Sequence, residues 1–443
     1  MPIDYLQIYR LSVKYIQEDG MGKYKSRLVD KRLKSKLGMR GAVLIQGPKW
    51  CGKTTTAEQC SKSILYMDEP EQKQQNIQMA EISPQLLLAG KTPRLIDEWQ
   101  LAPQLWDAVR FEVDHRKEKG QFILTGSSVP ANFDLITHTG TGRFSWLTMR
   151  NMSLFESGDS SGEVKLAELF DEEVDISGTN EIDITKLAFI ICRGGWPDAI
   201  DMNFDAALES AYDYVDAVIN LDISRVDDVK RDPERVRRVM QSLARNQGSQ
   251  IPFATIARDI STNEIEFTAE TVSLYIKALK KIFVVEDMPS WNPNLRSKTS
   301  IRSTETRYYG DSAIASAVLG IGPKDLLNDL NTMGLLFETM CVRDLRVYAE
   351  NIDGKVYHYR DRSGLECDAV IHLRNGQYGL VEIKLGGNTL IEEGARNLHK
   401  LESLIDKTRM SKPAFKMVLT GTDKYAYKRP DDIMVVPIGC LTA

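Results

Sequence analysis

The segment at residues 40–57 constrains the fold more than any other part of the chain. An apolar run at 42–45 precedes Gly47, and Gly52-Lys53-Thr54 follow after four further residues, with a helix-compatible segment beyond them. This is the Walker A pattern placed between a strand and a helix. The glycines let backbone N–H groups turn towards a polyphosphate, and the start of the helix adds a favourable dipole. The segment therefore predicts an α/β domain with a nucleotide-binding loop.

Two side chains of this loop have specific expected roles. We expect Lys53 to reach the β- and γ-phosphates of ATP and the hydroxyl of Thr54 to bind Mg²⁺. The alternative is a glycine turn that carries Lys-Thr by chance, which the flanking strand and helix disfavour. The predicted ATP-binding residues of this segment are Gly47, Pro48, Lys49, Trp50, Cys51, Gly52, Lys53, Thr54 and Thr55.

A second short apolar run, at 94–96, ends in Asp97 and Glu98. Asp97 is predicted to hold Mg²⁺ through water, as the Walker B aspartate of P-loop proteins does. Glu98 is predicted to be catalytic, as the base that orients the attacking water. The alternative for Glu98 is a solvated turn residue before Trp99.

Two further residues are candidate contacts to the γ-phosphate. Thr125 follows an apolar run at 122–124, where ATPases of the AAA kind carry a polar sensor; the alternative is a simple strand-ending turn. Arg143, in the segment GTGRF, is a candidate arginine finger for its own subunit or a neighbouring one. It could equally be a surface arginine in a glycine loop. A finger that acts between subunits makes a homo-oligomer a candidate assembly.

Composition excludes several classes of protein. The cysteines at 51, 60, 192, 341, 367 and 440 lack CxxC pairs and nearby histidines, which argues against a zinc site or a disulfide framework. No apolar run approaches the ~20 residues needed to cross a bilayer, and no secretory signal is visible, so we predict a cytoplasmic protein without a membrane partner. The net charge of −5 means that contact with nucleic acid requires a local basic patch.

The order of elements at 233–310 is typical of a winged helix. The pattern predicts helices at 233–244, near 252–260 and at 269–282, the last capped by Thr268, and then a strand pair. The best candidate DNA contact is a basic patch between 291 and 310, where four cations and one acid, Glu305, give a local net charge of +3. The alternative is ordinary solvated charge on a domain that holds a protein partner or a neighbouring domain. The cations are Arg296, Lys298, Arg302 and Arg307.

The segment YGLVEIKLG, at 378–386, places Glu382 and Lys384 on one face of a predicted strand. Asp368 opens the preceding strand, and an Asp followed about a dozen residues later by Glu-x-Lys resembles the PD-(D/E)xK nuclease superfamily. The resemblance implies that Asp368 and Glu382 bind Mg²⁺, which polarises a phosphodiester, and that Lys384 assists as a third catalytic residue. Glu338, on an apolar helical stripe, is a further candidate metal ligand. The alternative is a buried ion-pair network in a nuclease-derived fold that no longer cuts.

Strand register tests the nuclease hypothesis. A two-residue turn at 375–376 would place Asp368 opposite Ile383, with the two carboxylates on opposite faces of the sheet. A three-residue loop with Gly376 in the left-handed region would instead pair Asp368 with Glu382. The functional interpretation therefore predicts the three-residue loop or an equivalent bulge.

The motifs taken in order resemble a large prokaryotic family over nearly the full length of the chain. They are the Walker A segment, IDE, LTGSS, GR, MSLFES, RGGWPDAI, and SGLECDAV with VEIKLG. The family joins an AAA-like ATPase to a C-terminal domain of unknown function with a nuclease-like end. Here the first acid of the nuclease motif, Asp368, follows Cys367 rather than proline. The resemblance implies binding of ATP with Mg²⁺ and slow hydrolysis.

A chain of 443 residues exceeds the roughly 250 to 300 residues that one core sustains. The acidic, Gly/Ser-rich stretch at 154–183 is predicted to be a connection or a weakly ordered insertion. We therefore predict an α/β multidomain protein with a P-loop NTPase core, a helical connector, a winged helix and a restriction-endonuclease-like domain. The predicted boundaries are 1–155, 156–232, 233–318 and 319–443.

Two functions are compatible with this organisation. The leading hypothesis is an ATP-dependent switch that acts on nucleic acid through the winged helix and the nuclease-like domain. The alternative is a non-cutting regulatory ATPase or adaptor whose C-terminal domains bind a protein partner.

Overall fold

The computed structural model describes residues 24–126, 139–172, 174–227, 229–292, 305–361, 363–406, 408 and 410–443. Three cations of the predicted basic patch, Arg296, Lys298 and Arg302, lie outside the described residues. All six cysteines are free thiols in the structure. No helix among the described residues is long and apolar enough to cross a membrane.

The first sheet is parallel; its three central strands are buried on both faces, and its two edge strands are partly exposed. Its strand order is β2-β3-β4-β1-β5. One apolar cluster, around Trp99 and Trp106, covers one face, and a second, around Leu33 and Ile45, covers the other. The strands are β1 (Ala42–Gln46), β2 (Ser63–Tyr66), β3 (Arg94–Asp97), β4 (Phe122–Gly126) and β5 (Phe144–Thr148). The helices are α1 (Val29–Met39), α2 (Lys53–Glu58), α3 (Lys73–Ile82), α4 (Pro84–Leu88), α5 (Leu105–Arg116) and the 3-10 turn Trp99–Leu101.

The stretch at 154–183 is not the loose connection that its composition predicts. Its strands pair with the end of the chain, Val164 with Leu441 and Thr179 with Tyr425. Leu166 and Leu169 are buried in the same apolar cluster as Leu441. The stretch therefore extends the C-terminal part of the fold. Its elements are α6 (Leu154–Ser157), β6 (Val164–Lys165), the 3-10 turn Glu168–Phe170 and β7 (Gly178–Thr179).

A helical region follows, in which the predicted order of three helices and an antiparallel strand pair is present. Thr268 accepts a hydrogen bond from the N–H of Thr271 and caps the third helix of that order, as predicted. The elements before it are α7 (Ile184–Arg193), α8 (Pro197–Asp201), α9 (Phe204–Ala217), the π-helical turn Val218–Asp222 and α10 (Ile223–Arg225). The predicted order comprises α11 (Pro233–Arg245), α12 (Phe253–Ile260), α13 (Ala269–Lys281), β8 (Val285–Met288) and β9 (Thr306–Tyr309). After it come α14 (Ser312–Leu319), α15 (Pro323–Asn328) and α16 (Leu330–Asn351).

The second large sheet is mixed, with strand order β10-β11-β12-β13-β15-β14-β7. Strands β12, β13 and β15 run parallel, whereas β10, β11 and β12 form antiparallel neighbours. Besides β7, its strands are β10 (Gly354–Arg360), β11 (Glu366–Leu373), β12 (Tyr378–Lys384), β13 (Phe415–Thr420), β14 (Tyr425–Lys428) and β15 (Ile433–Pro437). Strand β16 (Leu441–Thr442) lies outside this sheet and pairs with β6. Helix α17 (Asn388–Leu404) packs on this sheet, and the 3-10 turn Ile438–Cys440 precedes β16.

Partly buried ion pairs join the first sheet to the rest of the chain. Arg150, just after β5, contacts Glu286 of β8 at 2.7 Å and Glu350 of α16 at 2.8 Å. Burial alone would raise the pKa of Glu286, but Arg150 and Arg346 lower it to about 2. Arg150 is the least exposed of the three, so loss of its glutamate partners would leave a poorly solvated charge, and these contacts help fix how the two parts of the chain meet.

Candidate functional site

The predicted nucleotide-binding loop leaves the carboxyl end of β1 and enters α2, in the strand-to-helix context that the sequence predicts. Gly47 allows a close approach of the backbone: a Cβ atom there would lie 2.0 Å from the carbonyl oxygen of Met149. Lys53 is 7% exposed, and its Nζ donates to the carbonyl oxygen of Pro48 at 2.6 Å. The ammonium therefore lies across the loop, where it can exchange this carbonyl for a phosphate oxygen.

The other side chains of the loop point in different directions. Pro48 and Cys51 are buried, Lys49 is half-buried, and Thr55 is exposed in the first turn of α2. Trp50 has φ +64° and is 49% exposed. The loop therefore offers a ligand mainly its backbone and the two residues that follow Gly52.

Strand register brings Asp97 and Thr125 to the edge of the sheet where this loop begins. Asp97 of β3 faces Thr125 of β4, and Thr125 faces Ile45 of β1. The hydroxyls of Thr54 and Thr125 both donate to Oδ1 of Asp97, at 2.8 and 2.5 Å. A hydroxyl and a carboxylate are the oxygen donors that Mg²⁺ accepts beside phosphate, so Thr54 and Asp97 fit the predicted metal ligands.

Glu98 follows Asp97 directly and is held at the same edge of the sheet. Its backbone is left-handed, with φ +53°, and Gln100 Nε2 donates to its Oε2. Burial, followed by the charge of Asp97, raises the pKa of Glu98, while the hydrogen bond from Gln100 opposes the rise. Glu98 is therefore a half-buried carboxylate directly after β3, next to the aspartate that Thr54 contacts.

Arg143 is far from its own nucleotide loop, so its predicted contact to the γ-phosphate of the same subunit is wrong. It precedes Phe144, which pairs with Ala42 at the amino end of β1, whereas the loop follows Gln46 at the carboxyl end. Four residues of strand separate these ends by about 13 Å. Arg143 instead contacts Asp114 at 2.7 Å on the surface. A contact to a neighbouring subunit stays a prediction.

Contacts to the loop from distant parts of the chain were missed by sequence reasoning. Arg27 donates to the carbonyl oxygen of Cys51 at 2.7 Å, and Lys49 Nζ contacts Asp222 Oδ1 at 2.6 Å. The ring of Tyr214 lies 5.6 Å from that of Trp50 in an edge arrangement. No local pattern marks Asp222 or Tyr214, because both belong to a helical region more than 160 positions away along the chain.

The predicted three-residue loop between β11 and β12 is confirmed. Gly376 has φ +92°, and the N–H of Leu373 donates to the carbonyl oxygen of Gln377 at 2.9 Å. His372 pairs with Tyr378 and Ala369 with Val381, a register that places Asp368 opposite Glu382. The two carboxylates therefore share one face of the sheet, as the nuclease hypothesis requires.

The four predicted residues of the C-terminal site converge. Lys384 Nζ lies 2.8 Å from Glu382 Oε2 and 3.6 Å from Asp368 Oδ2. Burial and then the charge of Asp368 raise the pKa of both Glu382 and Glu338. Burial opposes the charged form of Lys384, but Asp368 and Glu382 raise its pKa.

The predicted metal set of Glu338, Asp368 and Glu382 is not arranged as a metal site in this structure. Among the described residues, no group of three His, Cys, Asp or Glu side chains has metal-binding geometry. The ammonium of Lys384 contacts both Asp368 and Glu382, and Glu338 Oε1 accepts a hydrogen bond from Tyr308 at 2.6 Å. Lys384 and Tyr308 each contact one oxygen of a glutamate, whereas Oε1 of Glu382 is buried without a hydrogen-bond partner among the described residues. Because the ammonium of Lys384 pairs with two of the three carboxylates, the donor set does not fit a metal as it stands.

Tyr308 is a site residue that sequence reasoning missed. It lies on β9, is 2% exposed, and joins the helical region to Glu338 on α16. Arg307, the described cation of the predicted basic patch, is 8% exposed and donates to the carbonyl oxygen of Ile251. Arg307 therefore supports the fold and is not a surface contact for DNA.

Three family models match successive parts of the chain. Residues 39–157 match the model described as AAA domain. Residues 184–325 match a domain of unknown function, DUF8612, and residues 333–441 match another, DUF4143. The part at 39–157 is thus a AAA-type P-loop domain.

The chain is similar to two curated proteins and to solved structures. The uncharacterized proteins Rv2008c of Mycobacterium tuberculosis and Mb2031c of Mycobacterium bovis are each 25% identical over 370 residues, which span 83% of this chain and 75% of theirs. The Walker-type ATPase PABY2304 of Pyrococcus abyssi matches with a TM-score of 0.41 and 11% identity, over 69% of this chain and 99% of that one. The STAND protein PH0952 of Pyrococcus horikoshii, which has a tetratricopeptide repeat sensor, matches with a TM-score of 0.24 and 13% identity, over 76% and 50%.

Proposed function

We propose that the chain is a Mg²⁺-dependent ATPase whose nucleotide state acts on the helical region and the C-terminal domain. The observation that carries this proposal is the meeting of Lys53, Thr54, Asp97 and Thr125 at one edge of the parallel sheet, with Thr54 and Thr125 both bonded to one oxygen of Asp97. The match of residues 39–157 to a AAA domain supports it.

Each residue of this edge has a separate task in the proposed reaction. The loop backbone and Lys53 bind and orient the β- and γ-phosphates, and Thr125 senses the γ-phosphate. Thr54 and Asp97 would hold Mg²⁺, which, when bound, neutralises charge that develops on the phosphates. Glu98 accepts the proton of the attacking water and orients it.

Removal of the metal is the direct test of this function. Purified protein should release phosphate from ATP in the presence of Mg²⁺, and release should fall to the rate without enzyme when EDTA exceeds the metal. Added Mg²⁺ should restore turnover, because Thr54 and Asp97 supply few ligands of their own and the ion would exchange readily. The proposal would be refuted if excess EDTA left the rate of phosphate release unchanged, or if the protein failed to bind ATP.

A second candidate activity is cleavage of a phosphodiester at the C-terminal site. The observation that favours it is the register of β11 and β12, which places Asp368 and Glu382 on one face beside Lys384. Cleavage in the manner of PD-(D/E)xK enzymes requires Lys384 to leave the space between the two carboxylates. DNA is the proposed substrate, and nucleotide binding at the first site is the proposed trigger.

Supercoiled and linear DNA, incubated with Mg²⁺ or Mn²⁺ and with or without ATP, test this activity. Wild-type protein should nick DNA, and Glu382→Ala and Lys384→Ala should each abolish nicking. Glu366→Ala is the matched control, because this exposed carboxylate on the same strand as Asp368 pairs only with Arg360 among the described residues. Nicking that survives in Glu382→Ala would assign the activity elsewhere.

The contacts of Lys384 favour a third possibility, the non-cutting regulatory ATPase or adaptor. The ammonium of Lys384 pairs with both Asp368 and Glu382, so part of their charge is offset by the protein without any ligand. ATP turnover without cleavage of any nucleic acid would support this possibility. The C-terminal domain would then hold a protein partner, and the nucleotide would control that contact.

A further inference from the structure

The nucleotide-binding loop is held from outside the first sheet by the turn that follows α9. Nζ of Lys49 lies 2.6 Å from Oδ1 of Asp222, the last residue of the π-helical turn Val218–Asp222. The next loop residue, Trp50, packs its ring 5.6 Å from the ring of buried Tyr214 on α9. Two successive residues of the loop therefore contact the helical region.

The two partners of the ion pair differ in exposure. The side chain of Lys49 is 41% exposed, whereas that of Asp222 is 8% exposed. Lys49 can change partner without loss of solvation, but Asp222 cannot lose its cation without leaving a carboxylate almost out of water. An exchange at Lys49 therefore requires the turn at Asp222 to move or to open to solvent.

A bound polyphosphate would cause Lys49 to exchange Asp222 for a phosphate. Lys49 lies between Gly47 and Gly52, in the stretch whose backbone would surround the phosphates, and a nucleotide brings several negative charges close to its ammonium. Attraction between unlike charges a few ångströms apart is substantial near a protein surface. The bound nucleotide and Asp222 therefore compete for one cation.

We infer that Asp222 is a positioning residue of the nucleotide site, supplied by the helical region, which holds Lys49 until a polyphosphate displaces it. Displacement releases the turn at 218–222, and the helical region thereby responds to nucleotide binding. π-Helical turns are frequent at functional sites, which agrees with this role. The inference rests on the proposed function, since it requires ATP to bind at the loop.

The test measures the affinity for a non-hydrolysable ATP analogue with Mg²⁺, by calorimetry on the full-length protein. Asp222→Asn should bind the analogue about fivefold more tightly than wild type, because a partly exposed ion pair no longer competes. The difference should disappear when Lys49→Met is present in both proteins. Asp222→Glu should restore an affinity near that of wild type. If Asp222→Asn does not fold, Asp222→Ser replaces it with the same expectation.

Asp216→Asn is the matched control, because Asp216 lies on α9 and pairs with Arg237 at the surface, away from the loop. It should leave the affinity unchanged. Trp50 gives a second measurement: subtracting the Trp50→Phe signal isolates its fluorescence, and the analogue should change it in wild type. The Asp222→Asn protein without nucleotide should already show part of this change in Trp50 fluorescence.

The outcomes separate this inference from the proposed function. If wild type binds no analogue, the proposed function fails and the role of Asp222 fails with it. If wild type binds and Asp222→Asn has equal or lower affinity, only the role of Asp222 is refuted. If Asp222→Asn still raises the affinity in the Lys49→Met background, Asp222 acts by electrostatic repulsion of the nucleotide. The exchange of partners at Lys49 is then refuted.

Discussion

Lys53→Ala should lower kcat/KM for ATP by about 10³-fold or more, since it removes both a charge-assisted contact to phosphate and a donor that stabilises developing charge. In the structure Nζ of Lys53 donates to the carbonyl oxygen of Pro48, which belongs to the same loop. Among the described residues this ammonium makes no ion pair with another element, although its charge opposes the rise that burial causes in the pKa of Glu98. The free energy of unfolding should therefore change by only about 1–3 kcal/mol, the scale of one charge-assisted hydrogen bond.

Steady-state phosphate release, analogue binding and thermal unfolding of the variant measure these effects together. Lys34→Ala is the control, because Lys34 is an exposed lysine on α1 of the same domain. It should match wild type in all three measurements. Turnover that is unchanged in Lys53→Ala would place the ATPase site away from residues 47–54. Loss of the folded state in that variant would instead give the lysine a structural role.

The edge of the first sheet where Thr54, Asp97 and Thr125 meet could be predicted from sequence, because short local patterns determine it. Residues that end successive strands of a parallel sheet meet at one edge, so the positions after 45, 96 and 124 converge whatever the rest of the chain does. Turn chemistry similarly predicted the loop at Gly376, since a three-residue hairpin commonly places glycine in the left-handed region. In both cases a few neighbouring residues contain the information.

Long-range contacts could not be predicted in this way. The stretch at 154–183 is acidic and rich in Gly and Ser, which indicates a loose connection, yet Val164 pairs with Leu441 at the other end of the chain. Likewise, the segment GTGRF made Arg143 a candidate finger, but register places it at the amino end of β1. Such pairings depend on how distant segments pack, and no local pattern encodes them.

Glu98→Gln should separate binding from hydrolysis. If Glu98 is the base, kcat should fall by about 10²- to 10⁴-fold, the usual contribution of a general base. The affinity for ATP should stay within about threefold of wild type, because glutamine keeps the shape of the side chain and the interaction removed is made only in the transition state. Glutamine also keeps an oxygen that can accept the hydrogen bond from Gln100.

A single-turnover assay with ATP in slight deficit measures the chemical step directly, and calorimetry measures binding. Glu69→Gln is the matched control, because Glu69 is an exposed carboxylate in the loop after β2. If Glu98 is only a turn residue, both variants should hydrolyse ATP at the wild-type rate. A fall in affinity equal to the fall in kcat/KM would mean that Glu98 shapes the binding site. A slow variant that retains ATP would hold the chain in its nucleotide-bound state, in which the response of the helical region can be measured without turnover.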